Sequence, residues 1–402
     1  MSTYDKIAKL IGFLQAEVRD LRMILLFLIA VTMASGAVSQ IERPPRQVCY
    51  YTPSESPAIE DIPGDLCTNV IYAFSRISVD TWKIEPGNYQ FDVVEGGYKR
   101  FTALKEKYPD LKTDLSINDD NIAYMVRYKP RREVFIKSVV DLLNTYGFDG
   151  LDIDWEFPLW PIERKSYPIL VSELRTAFDA EGKGWNLTTA VPSSPILADV
   201  GFDIPALCSV FDAVHFMGYD LRTSEEGFTD VHSLLYRRPN LDFFINYDYN
   251  VNDGIMKWVD SGCPRHKLIL GVPFYGRSFT LVDPQRHGLH ALAAIEWGGW
   301  YDYGKMCKSF IDDPGWAWGY DEGGLVPYAY RDNFWVGYED TDSLSIKMNY
   351  LRDMGFGGAM NWQLNSDDFS GYCGQGKWPL LTTLNDGLQN YTVPVDYSEI
   401  KV

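Results

Sequence analysis

Eight short β-rich runs, at 48–51, 69–74, 113–117, 150–154, 187–191, 213–219, 268–274 and 358–362, punctuate this chain of 402 residues. Helical patterns fill most of the gaps: 98–107, a stretch where Phe135, Val139, Leu142 and Tyr146 recur before Gly147, then 167–179 and 343–354. Apolar residues three or four apart line one helix face, and a glycine past the last of them supplies a stop. Strands alternating with helices favour parallel pairing, and eight such units close into a (β/α)8 barrel. The length fits two average domains or one barrel with insertions. One connection is too long for a simple crossover. Residues 281–340 carry Gly, Pro and Trp297, Trp300, Trp316, Trp318 and Trp335, so we expect a small α+β insertion between strand 7 and helix 7. The barrel then takes 40–280 and 341–390, and an acidic tail takes 391–402.

Residues 149–158 read Asp-Gly-Leu-Asp-Ile-Asp-Trp-Glu-Phe-Pro. A period of two is a strand, so Asp152, Asp154 and Glu156 share one face while Leu151, Ile153 and Trp155 take the other. Three neighbouring carboxylates cannot all ionise cheaply once water is thinned out, and crowding with desolvation raises at least one pKa. A wet acidic strand face is the plain alternative. An oxygen-rich metal site is another, but no His near this strand completes a transition-metal set. We therefore expect a catalytic acid and no metal. Glu156 falls just past the fourth strand, at the end of a barrel where chemistry is placed.

The net charge of −18 argues against a nucleic-acid backbone or an anionic membrane as partner. Aromatic residues make up 15% of the chain, a load that suits sugar faces as well as cores. Residues 23–38 form an apolar run after Arg19 and Arg22, short for a membrane span and ending in small residues. We expect a secretory signal peptide at 23–39, with an uncleaved anchor as the alternative and the status of 1–22 open. Six cysteines without C-x-x-C spacing agree with an oxidising, extracellular location rather than zinc. Asn186-Leu-Thr and Asn390-Tyr-Thr are glycosylation sequons if the chain is secreted.

With these residues in view, the chain resembles the family 18 glycoside hydrolases, the chitinases and chitinase-like lectins, from about 47 to 388. The signature at 149–158 is supported by Met217-Gly-Tyr-Asp220, Gly271-Val-Pro-Phe-Tyr-Gly-Arg277, Gly357-Gly-Ala-Met-Asn-Trp362 and Cys49-Tyr-Tyr-Thr52. The resemblance implies retaining, substrate-assisted hydrolysis, in which the sugar's own 2-acetamido oxygen attacks the anomeric carbon. It implies Glu156 as general acid, Asp154 holding the acetamido N–H and sharing a proton with Asp152, and Tyr219 positioning the acetamido group. Trp362 would form the sugar floor, Tyr50, Phe74, Met217 and Met360 the walls, and Asp220 and Arg277 polar contacts. No cofactor is implied. The partners would be chitin or N-acetylglucosamine oligosaccharides, and the chain a monomer.

Departures from the family pattern fall in the cleft. Ser116-Ile-Asn-Asp-Asp120 stands where the family has Ser-x-Gly-Gly-Trp, the loop 52–57 is short and lacks its Trp, and Thr223-Ser-Glu-Glu226 replaces an aromatic. Lost stacking rings weaken the grip on long chains. Two readings follow: a hydrolase of β-1,4-linked N-acetylglucosamine, and a lectin-like or signalling protein with little turnover. The retained Glu156 favours the enzyme. The resemblance pairs Cys49 with Cys67 and Cys307 with Cys373. Cys208 and Cys263 precede adjacent strands by similar margins, so we expect a third bridge between them, with two separate buried thiols as the alternative.

Overall fold

The computed structural model describes residues 41–295 and 299–395. The expected signal segment, Trp297 and the tail beyond 395 lie outside it. The described residues from Arg43 to Val393 form one compact unit.

Eight parallel strands close a barrel: β1 Arg46–Tyr51, β2 Asn69–Ile77, β3 Lys112–Ile117, β4 Gly150–Asp154, β5 Asn186–Pro192, β6 Ala213–Met217, β7 Leu268–Pro273 and β8 Gly358–Trp362. Each pairs with the next, and β8 pairs back with β1. Strand interiors are buried on both faces. The outward residues pack under helices, while the inward ones form a second cluster that includes Val48, Tyr50, Ile71, Ala190, Ile269 and Met360. Both faces of a parallel sheet must be covered, which is why these strands read as nearly continuous apolar runs.

The helix Lys129–Tyr146 ends on Gly147, whose φ of 80° is the left-handed stop that the sequence signals. Two helices differ from expectation. The one expected at 167–179 runs Pro161–Glu181, because Pro161 is acceptable in a first turn and Glu163 accepts the backbone N–H groups of Leu159 and Trp160. The one expected at 98–107 is two pieces, Gly97–Thr102 and Leu104–Lys107. Strand β6 stops at Met217, so Tyr219 and Asp220 leave it on a loop, with Asp220 at a φ of 58°.

The insertion is a five-stranded antiparallel sheet with one helix, Tyr303–Asp312. Its sheet begins at Tyr275–Thr280, earlier than the sequence reading divided the chain, because that segment pairs with Phe334–Gly337 and Trp300–Asp302. Buried ions fasten it to the barrel. Arg238, in the β6–β7 connection, reaches Asp321 of the insertion at 2.9 Å as well as Asp230 at 2.7 Å and Asp242 at 2.6 Å. Such a charge is tolerable in the interior only because each donor finds a carboxylate.

Three disulfides join Cys49 to Cys67, Cys208 to Cys263 and Cys307 to Cys373. The second holds the helix Ile204–Val210 to the segment entering β7, across Cα atoms 5.3 Å apart. Among the described residues no helix is long and apolar enough to cross a membrane.

Candidate active site

A cleft of about 430 Å³ opens at the carboxyl ends of the strands. Tyr50, Phe74, Asp154, Glu156, Met217, Tyr219, Asp220, Met360 and Trp362 all line it. Trp362 and Phe74 lie nearly parallel, with centroids 5.4 Å apart, and Tyr50 flanks the indole at 5.5 Å. This apolar floor comes from the ends of β1, β2 and β8, strands that are brought together only when the barrel closes.

The three carboxylates meet three environments. Asp152 is fully buried and saturated with donors: Tyr50 Oη at 2.8 Å and Ser116 Oγ at 2.7 Å on one oxygen, Thr188 Oγ1 at 2.7 Å on the other. His215 Nδ1 lies 3.3 Å away. Burial by itself would raise Asp152, but His215, Ser116 and Thr188 outweigh it and hold the pKa below the ordinary value. Asp154 receives the Asn118 amide on Oδ2 at 3.1 Å, while its buried Oδ1 has no partner. Burial, then repulsion from Glu156 and Asp152, raise it well above the usual range. Glu156 opens into the cleft and takes the same Asn118 amide at 3.2 Å. Lost hydration raises its pKa, Asp220 adds to the rise, and Asn118 opposes it.

Tyr219 is buried, and its hydroxyl meets the soft sulfur of Met360 at 3.8 Å. Asp220 is forked by Arg277 at 2.7 and 2.6 Å and accepts the Tyr275 hydroxyl at 2.8 Å. Burial would raise Asp220, but His232 and Arg277 hold it below the carboxylate range. Arg277 thus reaches the cleft through Asp220, and Asp152 acts from beneath it.

Sequence reasoning missed several residues. His215, Thr188, Tyr275 and Asn118 touch the carboxylates, and Phe157, Leu221 and Tyr249 are among the other residues of the lining. For His215 a signal existed: residues 213, 215 and 217 share one parity along β6, the face that also carries Met217 into the cleft. Trp300 also lines the cleft, stacked on Tyr275 with centroids 3.5 Å apart and 9° between planes. Of the sequons, Asn186 opens β5 with its amide 3.3 Å from a buried Asp114 oxygen, and Asn390 is exposed.

Comparison with known proteins gives a consistent picture. The model of the glycosyl hydrolases family 18 matches residues 46–367. An endochitinase of Manduca sexta is 39% identical over 402 residues, covering 92% of this chain and 72% of that protein. The structure of the Group IV chitinase of Ostrinia furnacalis superposes with a TM-score of 0.81 at 30% identity, covering 86% of this chain and 99% of that one. Human YKL-39, described as a pseudo-chitinase with retained chitooligosaccharide binding, superposes at 0.77 with 28% identity, covering 86% and 99%.

Proposed function

This chain belongs to the family 18 glycosyl hydrolases, and from that premise we propose that it hydrolyses β-1,4 linkages between N-acetylglucosamine units. One observation carries the reading: Glu156 faces the cleft with a raised pKa, beside a buried Asp154 whose Oδ1 is unpartnered. A carboxyl group whose pKa is raised holds its proton to higher pH, as a general acid must, and in this reading Glu156 protonates the glycosidic oxygen. The free Oδ1 of Asp154 is an acceptor awaiting a donor, and the N–H of a substrate's acetamido group supplies one. That contact turns the acetamido oxygen toward the anomeric carbon, with Tyr219 holding it from the other side. The sugar–oxygen bond breaks as the acetamido oxygen bonds to the carbon, and water later opens the cyclic cation with Glu156 taking the proton back. Asp152, kept anionic by its donors, stabilises the positive charge that builds up nearby.

The sugar ring rests on Trp362, with Phe74, Tyr50, Met217 and Met360 around it. In this reading the chain is a secreted monomer: 23–39 is its signal, 40–280 with 341–390 is the barrel domain, 281–340 is the insertion, and Asn186 and Asn390 are the glycan acceptors.

Lectin-like binding without turnover is the second reading, favoured by the trimmed loops at 52–57 and 118–120 and by the likeness to YKL-39. Incubating purified protein with N-acetylglucosamine oligomers of graded length separates the two. Shorter products support the hydrolase, and intact oligomers with measurable binding support the lectin.

A further inference from the structure

Strand β3 lies beside β4 in register, with Ser116 opposite Asp152 and Ile117 opposite Ile153. Because side chains alternate, Ser116 and Asn118 project on the same side as Asp152 and Asp154. The pairing is realised in hydrogen bonds: Ser116 Oγ donates to Asp152 at 2.7 Å, and Asn118 Nδ2 donates to Asp154 Oδ2 at 3.1 Å. The same Nδ2 donates to Glu156 Oε1 at 3.2 Å. One planar amide thus spends its two protons on two carboxylates. Both acceptors are oxygens, so the group cannot turn its own oxygen toward them without meeting like charge.

We propose that Asn118 is a positioning residue for this pair, clamping Asp154 and Glu156 at a fixed separation and tuning when the acid lets go of its proton. The inference rests on the hydrolase reading above but goes beyond it, since a residue without a donor at 118 would leave both carboxylates in place and untethered. The clamp has two effects. It fixes the Glu156 carboxyl relative to Asp154, so the proton and the acetamido contact are delivered to one sugar in one geometry. It also favours the ionised forms, because a donated N–H stabilises a carboxylate more than a carboxylic acid. The groups that face Glu156 are Asp154 and, behind it, Asp152 on β4; Tyr219 and Asp220 beyond β6, the latter held by Arg277; and Tyr50 of β1. Of these only Asp154 bonds to Asn118, and it loses the same donor when residue 118 is replaced, so a shift in titration reports the clamp on the pair.

The test compares wild type with Asn118→Ala and the isosteric Asn118→Asp. Rates on N-acetylglucosamine oligomers are followed across pH, and the Glu156 carboxyl is titrated by carbon-13 NMR. The alanine variant is expected to lose roughly tenfold in kcat with KM changed less than about threefold, and its alkaline limb moves up by about half a pH unit or more. The aspartate variant adds a like charge and moves that limb further. An upward, graded shift of the Glu156 titration supports the clamp even if wild type releases no product, in which case only the hydrolase reading fails. Wild-type titration and rate in both variants would overturn the clamp while leaving the hydrolase reading intact.

Discussion

Asp152 and Asp154 stand two residues apart on one strand, and their surroundings drive them in opposite directions. Four polar groups converge on Asp152, whereas Asp154 keeps an empty buried oxygen and lies between two other carboxyl groups. The difference predicts opposite contributions to stability. The folded pKa of Asp152 lies below its unfolded value of about 3.9, so its contribution is present above that pH and is lost as pH falls. The folded pKa of Asp154 lies above, so its contribution is full below about 3.9 and is lost as pH rises. Asp154→Asn should therefore flatten the neutral side of a stability-versus-pH curve obtained by denaturant titration, and Asp152→Asn the acid side. Two superimposable curves would contradict the assignment.

Activity should follow the raised pKa of Glu156. Its alkaline limb, measured as kcat against pH, is expected above the ordinary glutamate value of about 4.3. A limb at or below that value would mean that another group donates the proton.

Replacing the acid without changing its shape separates chemistry from binding. Glu156→Gln should cost at least ~100-fold in turnover while oligomer affinity, read by calorimetry, stays within a few-fold. Near-normal turnover would remove Glu156 from its role.

Anomeric configuration should be retained, because the acetamido oxygen blocks the face that water would otherwise attack. NMR of the first products should give the β-anomer, and a deacetylated sugar at the cleavage point should resist hydrolysis. Initial α-product would show direct attack by water.

Chain-length dependence should be shallow. The loop at 118–120 lacks an aromatic platform, but Trp300 stands over Tyr275 on the cleft wall and is 37% exposed. Affinity should rise to about three or four sugars and then level, and Trp300→Ala should lower the plateau roughly tenfold. An affinity that keeps climbing with length, or an indifferent alanine variant, would place the platform elsewhere.

Much of this was legible in residue order. The barrel followed from eight alternating segments, and the acidic face of β4 from a period of two in 152–156. What stayed hidden depends on closure. His215 and Thr188 become partners of Asp152 only when β5 and β6 line up beside β4, and Trp300 meets Tyr275 only when the insertion sheet pairs them. Asn118 read as a lost glycine and an absent ring, because sequence shows what a position lacks more readily than what its side chain reaches. The expected bond between Cys208 and Cys263 does form, although equal distance from two strands favours it without fixing the direction of either side chain.

The Arg238 cluster has a further consequence. A cation shared by Asp230, Asp242 and Asp321 ties the insertion sheet to the connection between β6 and β7, and the knot is almost wholly buried. Loss of any one of the three carboxylates would leave a buried cation undercompensated, so the insertion is held to the barrel by a joint that cannot be loosened one bond at a time.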